Sequence, residues 1–499
     1  MVISRYRNRR TENAVKSCRL LVIALLAAIP ASGLAPGRQS SYGDMPSKRY
    51  DAVADTYRRE IVDLAAQCES QQLSAAAAWV RRRVRPNDRY ALSLYGAAEH
   101  DEERPPDLPA DVARRLRKLR TQYAAAIFEL AEQAGKTGQG SLALMRLGEV
   151  LVADPDHAAA RSLLGYQRHQ GSWCPAAEAQ RLAAGEIWDP RFGWLPETDV
   201  ARYEAGQRKY NGRWITAEQE ARIRSDISRG WQIETAHFEI TTNHSRAAAV
   251  QLAGRLERLY AAWWQLFADY HLAADELQRM FATGRPPAHS GRRHQVVYFR
   301  DHDQYQSALR KMQPGIERTL GIYFADVRTS FFFAGENQDP GTVLHEATHQ
   351  LFQEVRPTRK IVALRDNFWV IEGIACYMES LRTESGRLVV GGLAAGRLPA
   401  ARVRLLDDGF YVPFAELVAY GTRQIQRDPR IRTLYSQFTG QTAFLMHYDG
   451  GRYRGALMQY LRDVYRGAAG AETLARHAGV EYATLDKQYR QFLTGGAND

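Results

Sequence analysis

Between about residues 47 and 135, apolar positions recur at intervals of three and four, the period of a helix with one buried face. Val53, Tyr57, Ile61 and Leu64 carry that pattern and predict a helix over 49–67, followed by two more over 74–84 and 110–133. The stretch 85–109, with Pro105-Pro106 and an acidic cluster, reads as a loop. The arginine-rich runs at 81–83 and 114–120 lie on amphipathic segments and read as solvated faces.

Residues 137–230 contain a repeat. Gly165-Tyr-Gln-Arg-His-Gln-Gly171-Ser-Trp173 returns 41 residues later as Gly206-Gln-Arg-Lys-Tyr-Asn-Gly212-Arg-Trp214, each copy followed by a segment rich in Ala and Glu. The expectation is a helical repeat with two G-x-W units, in which a helix, a glycine turn and an anchoring tryptophan pack together. Upstream, 142–152 and 158–165 flank Asp154-Pro155-Asp156-His157 and resemble a single tetratricopeptide-type helix pair. The region reads as a spacer, with binding of a protein partner as the alternative.

Near residue 231 the period shortens. Residues 231–242 alternate apolar and polar and predict a strand; 247–270 is strongly amphipathic; strands follow at 295–299, 321–324 and 330–333, with a helix from about 303. Beyond about 341 the pattern is mainly helical. The fold class expected is α+β, with an all-α region (47–136 and 137–230) ahead of a mixed domain at 231–495.

Composition excludes a disordered or collagen-like chain: of 499 residues 45% are hydrophobic and 25% charged. A net charge of +11 would point to nucleic acid if it were spread over the molecule. It is not: Arg5, Arg7, Arg9, Arg10, Lys16 and Arg19 stand against Glu12 alone, so +5 of the total sits in the first 35 residues. An apolar run at 20–29, Pro30 and Ala31-Ser32-Gly33 follow, the layout of a signal peptide over 1–33. The expectation is an exported protein with no stable membrane span after cleavage and no nucleic-acid partner. Cys68, Cys174 and Cys376 remain, an odd and scattered set that reads as small buried residues.

The chemistry lies in His345-Glu346-Ala347-Thr348-His349. On a helix, residues four apart lie about 40° apart around the axis and about 6 Å along it, so both imidazoles reach one ion, and this suits zinc. Glu346 stands beside the ion, placed to take a proton from water. A third ligand is needed, and Trp369-Val370-Ile371-Glu372-Gly373-Ile374-Ala375 offers Glu372, with Gly373 and Ala375 small enough to let its helix approach the first. Glu379, seven residues on, falls only about 20° short of two full turns from Glu372 and could accept the other N–H of a ligand histidine.

These two segments resemble the gluzincin group of zinc metallopeptidases, and the Trp369–Ala375 stretch is particularly similar to its aminopeptidases. They also resemble exported bacterial proteins with peptidase-like domains. The resemblance spans about 233–495, with its specific part at 345–379. It implies a zincin-like domain, His345, His349 and Glu372 as Zn2+ ligands, Glu346 as the catalytic base, and a peptide or protein substrate. An oxyanion donor on a later helix is also expected: Tyr435 is the first candidate, His447 and Tyr448 the next, although the family's glycine three residues after that tyrosine is here five residues after it. Gly335-Glu336-Asn337 is similar to the segment that holds a free amine in aminopeptidases, but it lies eight residues before His345 and lacks the methionine, so it reads as coincidence. An edge strand at 330–333 would let an extended peptide pair with it. The alternative function is a catalytically silent peptidase-like scaffold that acts through its helical repeat region.

Overall fold

The computed structural model describes residues 46–84, 88–96, 107–287, 292–335, 339–359 and 362–495. The expected signal peptide and Glu336-Asn337 lie outside them. The architecture is mixed helix and sheet, in agreement with the α+β expectation.

The predicted N-terminal helices form as α1 (Pro46–Ser70), α2 (Ser74–Arg81) and α3 (Ala110–Lys136), followed by α4 (Gly140–Ala153) and α5 (Ala158–Leu163). Ile61 and Leu64 are fully buried, as their shared face requires. The region is nevertheless not all-α. Within the stretch expected as a loop, β1 (Ala91–Tyr95) alternates buried Leu92 and Leu94 with half-buried residues and pairs antiparallel with a strand almost 300 residues later. Helix α5 has only six residues and runs straight into a hairpin, which is short for a tetratricopeptide pair.

The repeat is also corrected. Three units occur, each a β-hairpin followed by a helix: β2 (Tyr166–His169) and β3 (Ser172–Pro175) with α6 (Ala176–Ala183); β4 (Glu186–Asp189) and β5 (Gly193–Pro196) with α7 (Val200–Glu204); β6 (Gln207–Tyr210) and β7 (Arg213–Thr216) with α8 (Ala217–Arg224). In the outer units Gln170-Gly171 and Asn211-Gly212 both have positive φ, the two-residue turn whose twist matches paired strands. The middle unit turns through Pro190-Arg191-Phe192, with Asp189 accepting the amides of Arg191 and Phe192, and is therefore one residue longer. That extra residue hides it from a fixed-spacing comparison.

The remaining chain builds a five-stranded sheet of order β11-β12-β10-β9-β8. The predicted strand 231–242 is a hairpin, β8 (Trp231–Glu234) and β9 (Phe238–Thr242). After α9 (Arg246–Leu266), α10 (Ala268–His271) and α11 (Ala274–Thr283), β10 (His294–Phe299) pairs parallel with β9. Helix α12 (His302–Leu309) leads to β11 (Ile322–Phe324) and β12 (Thr329–Phe333), the latter parallel to β10. Every residue of β12 is buried, as expected for a strand covered on both faces. It is thus an interior strand. The edge on its side of the sheet is β11, antiparallel to β12, and the opposite edge is β8.

Helices α13 (Pro340–Glu354) and α14 (Phe368–Met378) follow, then β13 (Arg382–Glu384) and β14 (Arg387–Gly391), which joins β1 in a three-stranded sheet of order β1-β14-β13. The chain ends in α15 (Leu398–Leu406), α16 (Phe414–Leu417), α17 (Thr422–Arg427), α18 (Ile431–His447), α19 (Arg454–Arg466), α20 (Thr473–Ala478) and α21 (Tyr482–Thr494). One core unites Tyr90, Leu92 and Leu94 with Trp263, Phe352, Trp369 and Phe444. Strand β1 of the N-terminal region is thereby packed into the same core as the later helices.

Candidate metal centre

Helix α13 begins cleanly: the Asp339 side chain accepts the Gly341 amide at 3.0 Å, and Pro340 occupies the first turn, where its missing N–H is not needed. His345, Glu346 and His349 therefore sit about one and a half to two and a half turns inside a helix with a capped start. Helix α14 is buried along its whole length and starts at Asn367, which adopts a left-handed conformation (φ 57°) and is itself fully buried. The Asn367 amide donates to Val418 O at 2.8 Å, and Tyr460 donates to its side-chain oxygen at 2.5 Å. Trp369 is a core anchor, its indole N–H donating to Tyr460 at 3.2 Å.

The two helices bring three donors together. His345 Nε2 lies 3.1 Å from His349 Nε2 and 3.2 Å from Glu372 Oε2, and His349 Nε2 lies 3.8 Å from Glu372 Oε1. Ligands bound tetrahedrally at about 2.0–2.1 Å stand about 3.3 Å apart, so this nitrogen–nitrogen–carboxylate set fits zinc in spacing and in chemistry. Burial would raise the Glu372 carboxyl, but the adjacent imidazoles outweigh it and hold the group well below the usual carboxylate range.

Glu379, just past the end of α14, takes His345 Nδ1 at 2.9 Å. With its proton on Nδ1, His345 presents the Nε2 lone pair to the donor cluster. His345, Cys376 and Glu379 form a second grouping able to hold a metal, with Cys376 Sγ 3.8 Å from Nδ1. Both oxygens of Glu379 are, however, engaged by Arg397 at 2.7 and 2.8 Å, which leaves the Glu372 cluster as the better cradle.

Glu346 accepts the backbone amide of Tyr323, on the edge strand β11, at 2.9 Å. Burial raises its carboxyl above the ordinary range, which strengthens it as a base. Tyr435, on α18, reaches the Glu372 carboxylate; burial first and Glu372 second push its phenol far up, so it stays a proton donor. His447 and Tyr448 do not join this group: about 18 Å further along the axis of α18, His447 Nε2 bonds Tyr377 at 2.8 Å and Tyr448 stacks on Tyr453.

Gly373 has a different partner from the one its position suggested. A Cβ there would meet Phe438 O at 2.9 Å and Thr442 Oγ1 at 2.5 Å, both on α18, so the glycine lets the helix of Glu372 approach the helix of Tyr435. Sequence reasoning missed Arg397 and the Tyr323 amide, because neither carries a local signal. It took Cys376 for a plain buried residue, although it stands four positions after Glu372 and so on the same helix face. The three cysteines of the described residues are free and buried. No family model matches the chain, and a comparison with curated proteins finds no match.

Proposed function

We propose that the protein is an exported zinc-dependent peptidase of gluzincin type. The observation that carries this reading is the convergence of His345 and His349 of α13 with Glu372 of α14, and Glu346 beside the two histidines on α13. A zinc ion held by those three residues would supply Lewis acidity, polarising a substrate carbonyl and acidifying a water at neutral pH. Glu346, made more basic by burial, takes the proton of the attacking water and passes it to the leaving amine. Tyr435, kept protonated, donates to the oxyanion of the attacked carbonyl. The edge strand β11 offers backbone to an extended peptide.

Two measurements test this. Metal analysis should return one zinc per chain, lost in His345→Ala, and a diverse peptide mixture should be cleaved only without chelator. Glu346→Gln should keep zinc and lose hydrolysis by about 100-fold or more; full activity in that variant sinks the mechanism. One observation bears on the silent scaffold instead: one oxygen of the Glu346 carboxylate, Oε2, is engaged by the Tyr323 amide. A zinc-loaded chain that cleaves nothing in the mixture would establish that second reading.

A further inference from the structure

Behind His345 stands a two-step support. The first step is Glu379, whose side chain is only 8% exposed and whose carboxylate accepts from His345 Nδ1. The second is Arg397, whose Nε and Nη2 meet the two oxygens of Glu379 as a fork, the geometry that fixes a carboxylate plane as well as its position. Such fixing matters here. Glu379 is the residue that caps the end of α14, its amide still bonded to Ala375 O, so the helix sets its face but not the plane of its carboxylate, and Cys376 Sγ competes for the same imidazole nitrogen from 3.8 Å. Only a carboxylate held in place keeps the proton on Nδ1 and the Nε2 lone pair on the donor cluster.

The segment that presents Arg397 is itself clamped. Gly391 N–H donates to Ser380 Oγ at 2.8 Å, Arg382 donates to Gly391 O at 2.6 Å, and Gly392 N–H donates to Tyr90 O at 2.7 Å. Gly391 and Gly392 both have positive φ, and a Cβ on Gly391 would come within 2.5 Å of Tyr90 O. Arg397 follows as the residue that opens α15. The Arg397 side chain keeps 39% of its surface exposed, so what holds it is the fork on Glu379 and the chain clamped upstream at Gly391 and Gly392.

We propose that Arg397 is a positioning residue which, by holding Glu379 against His345, sets the affinity of the site for zinc. The inference rests on the zinc reading above. The test is zinc affinity of the full chain, measured by competition with a chromophoric chelator, with near-ultraviolet circular dichroism to show that each variant is folded. Arg397→Met should weaken zinc about 10- to 100-fold, the size of effect such outer partners have on metal sites. Arg397→Lys, which keeps the charge but loses the fork, should fall between that variant and wild type. In a Glu379→Gln background, Arg397→Met should cause no further loss, because its effect passes through Glu379. A wild-type chain that binds no zinc overturns the zinc reading and this inference with it. Wild-type binding with unchanged affinity in Arg397→Met overturns the role of Arg397 alone, and so do losses that add in full in the Glu379→Gln background.

Discussion

Gly373 directly follows the proposed ligand Glu372, and the absence of its Cβ is what lets α14 and α18 meet. The Thr442 hydroxyl could rotate away from an added methyl, but Phe438 O is backbone and cannot. Gly373→Ala is therefore expected to destabilise the chain by about 1–3 kcal/mol, the usual range for overpacking a tight contact. Urea unfolding reads this directly, and an unchanged midpoint contradicts the packing account. Trp369 offers a contrast in sign of volume. It is fully buried and anchors the same helix through Tyr460, so Trp369→Ala leaves a cavity and should cost about 3–5 kcal/mol by the same measurement.

At the scale of elements, the hairpin-helix units are joined to the five-stranded sheet through titratable groups. On α6, in the first unit, Glu178 faces Glu257 of α9 and His237 of the β8–β9 turn, and His237 Nδ1 meets Glu257 at 2.6 Å. Burial, and then the charge of Glu257, raise the Glu178 carboxyl to about 7, against an opposing pull from His237. A carboxyl with its folded pKa above the unfolded one binds its proton more tightly when folded. Its stabilising contribution is complete below about 4.5 and is lost as pH rises through about 7. Glu178→Gln should therefore melt with wild type near pH 4.5 and above it at pH 8.5. Equal melting temperatures at both values would remove Glu178 from this role.

At the scale of the molecule, strand pairing and core packing cross the division at residue 231. Strand β1 pairs with β14 from Ala91↔Gly391 to Tyr95↔Arg387, and Tyr90, Leu92 and Leu94 enter the same core as Trp369. A chain beginning at residue 231 would expose β14 as an edge and open that core. It is expected to lack a cooperative thermal transition and to bind zinc poorly; a sharp transition with wild-type zinc affinity would show instead that the mixed domain stands alone. Leu94→Ala in the full chain tests the same packing more gently, with an expected loss of about 2–5 kcal/mol in urea unfolding.

The candidate site was largely legible in the sequence because its core is helical. The angle between His345 and His349, and the shared face of Glu372 and Glu379, follow from helix geometry, which is set within a few residues. The main helices and the strands β10 to β12 announced themselves through periodicity for the same reason. What lay beyond reach was pairing between distant segments that no motif links. Leu92 and Leu94 alternate over too short a run to outweigh the prolines and acids around them, and their partner is β14. Arg397 looks like any surface arginine until the β14–α15 loop carries it to Glu379, and Gly373 faces α18 only because the helices stack in that order. By itself the sequence determined which side chains can serve as ligands and base, since local helix geometry places His345 and His349 on one face with Glu346 beside them and sets Glu372 on a second helix. The tertiary structure alone decided which guanidinium and edge strand surround them, because those contacts depend on chain closure over tens to hundreds of residues and leave no periodic trace.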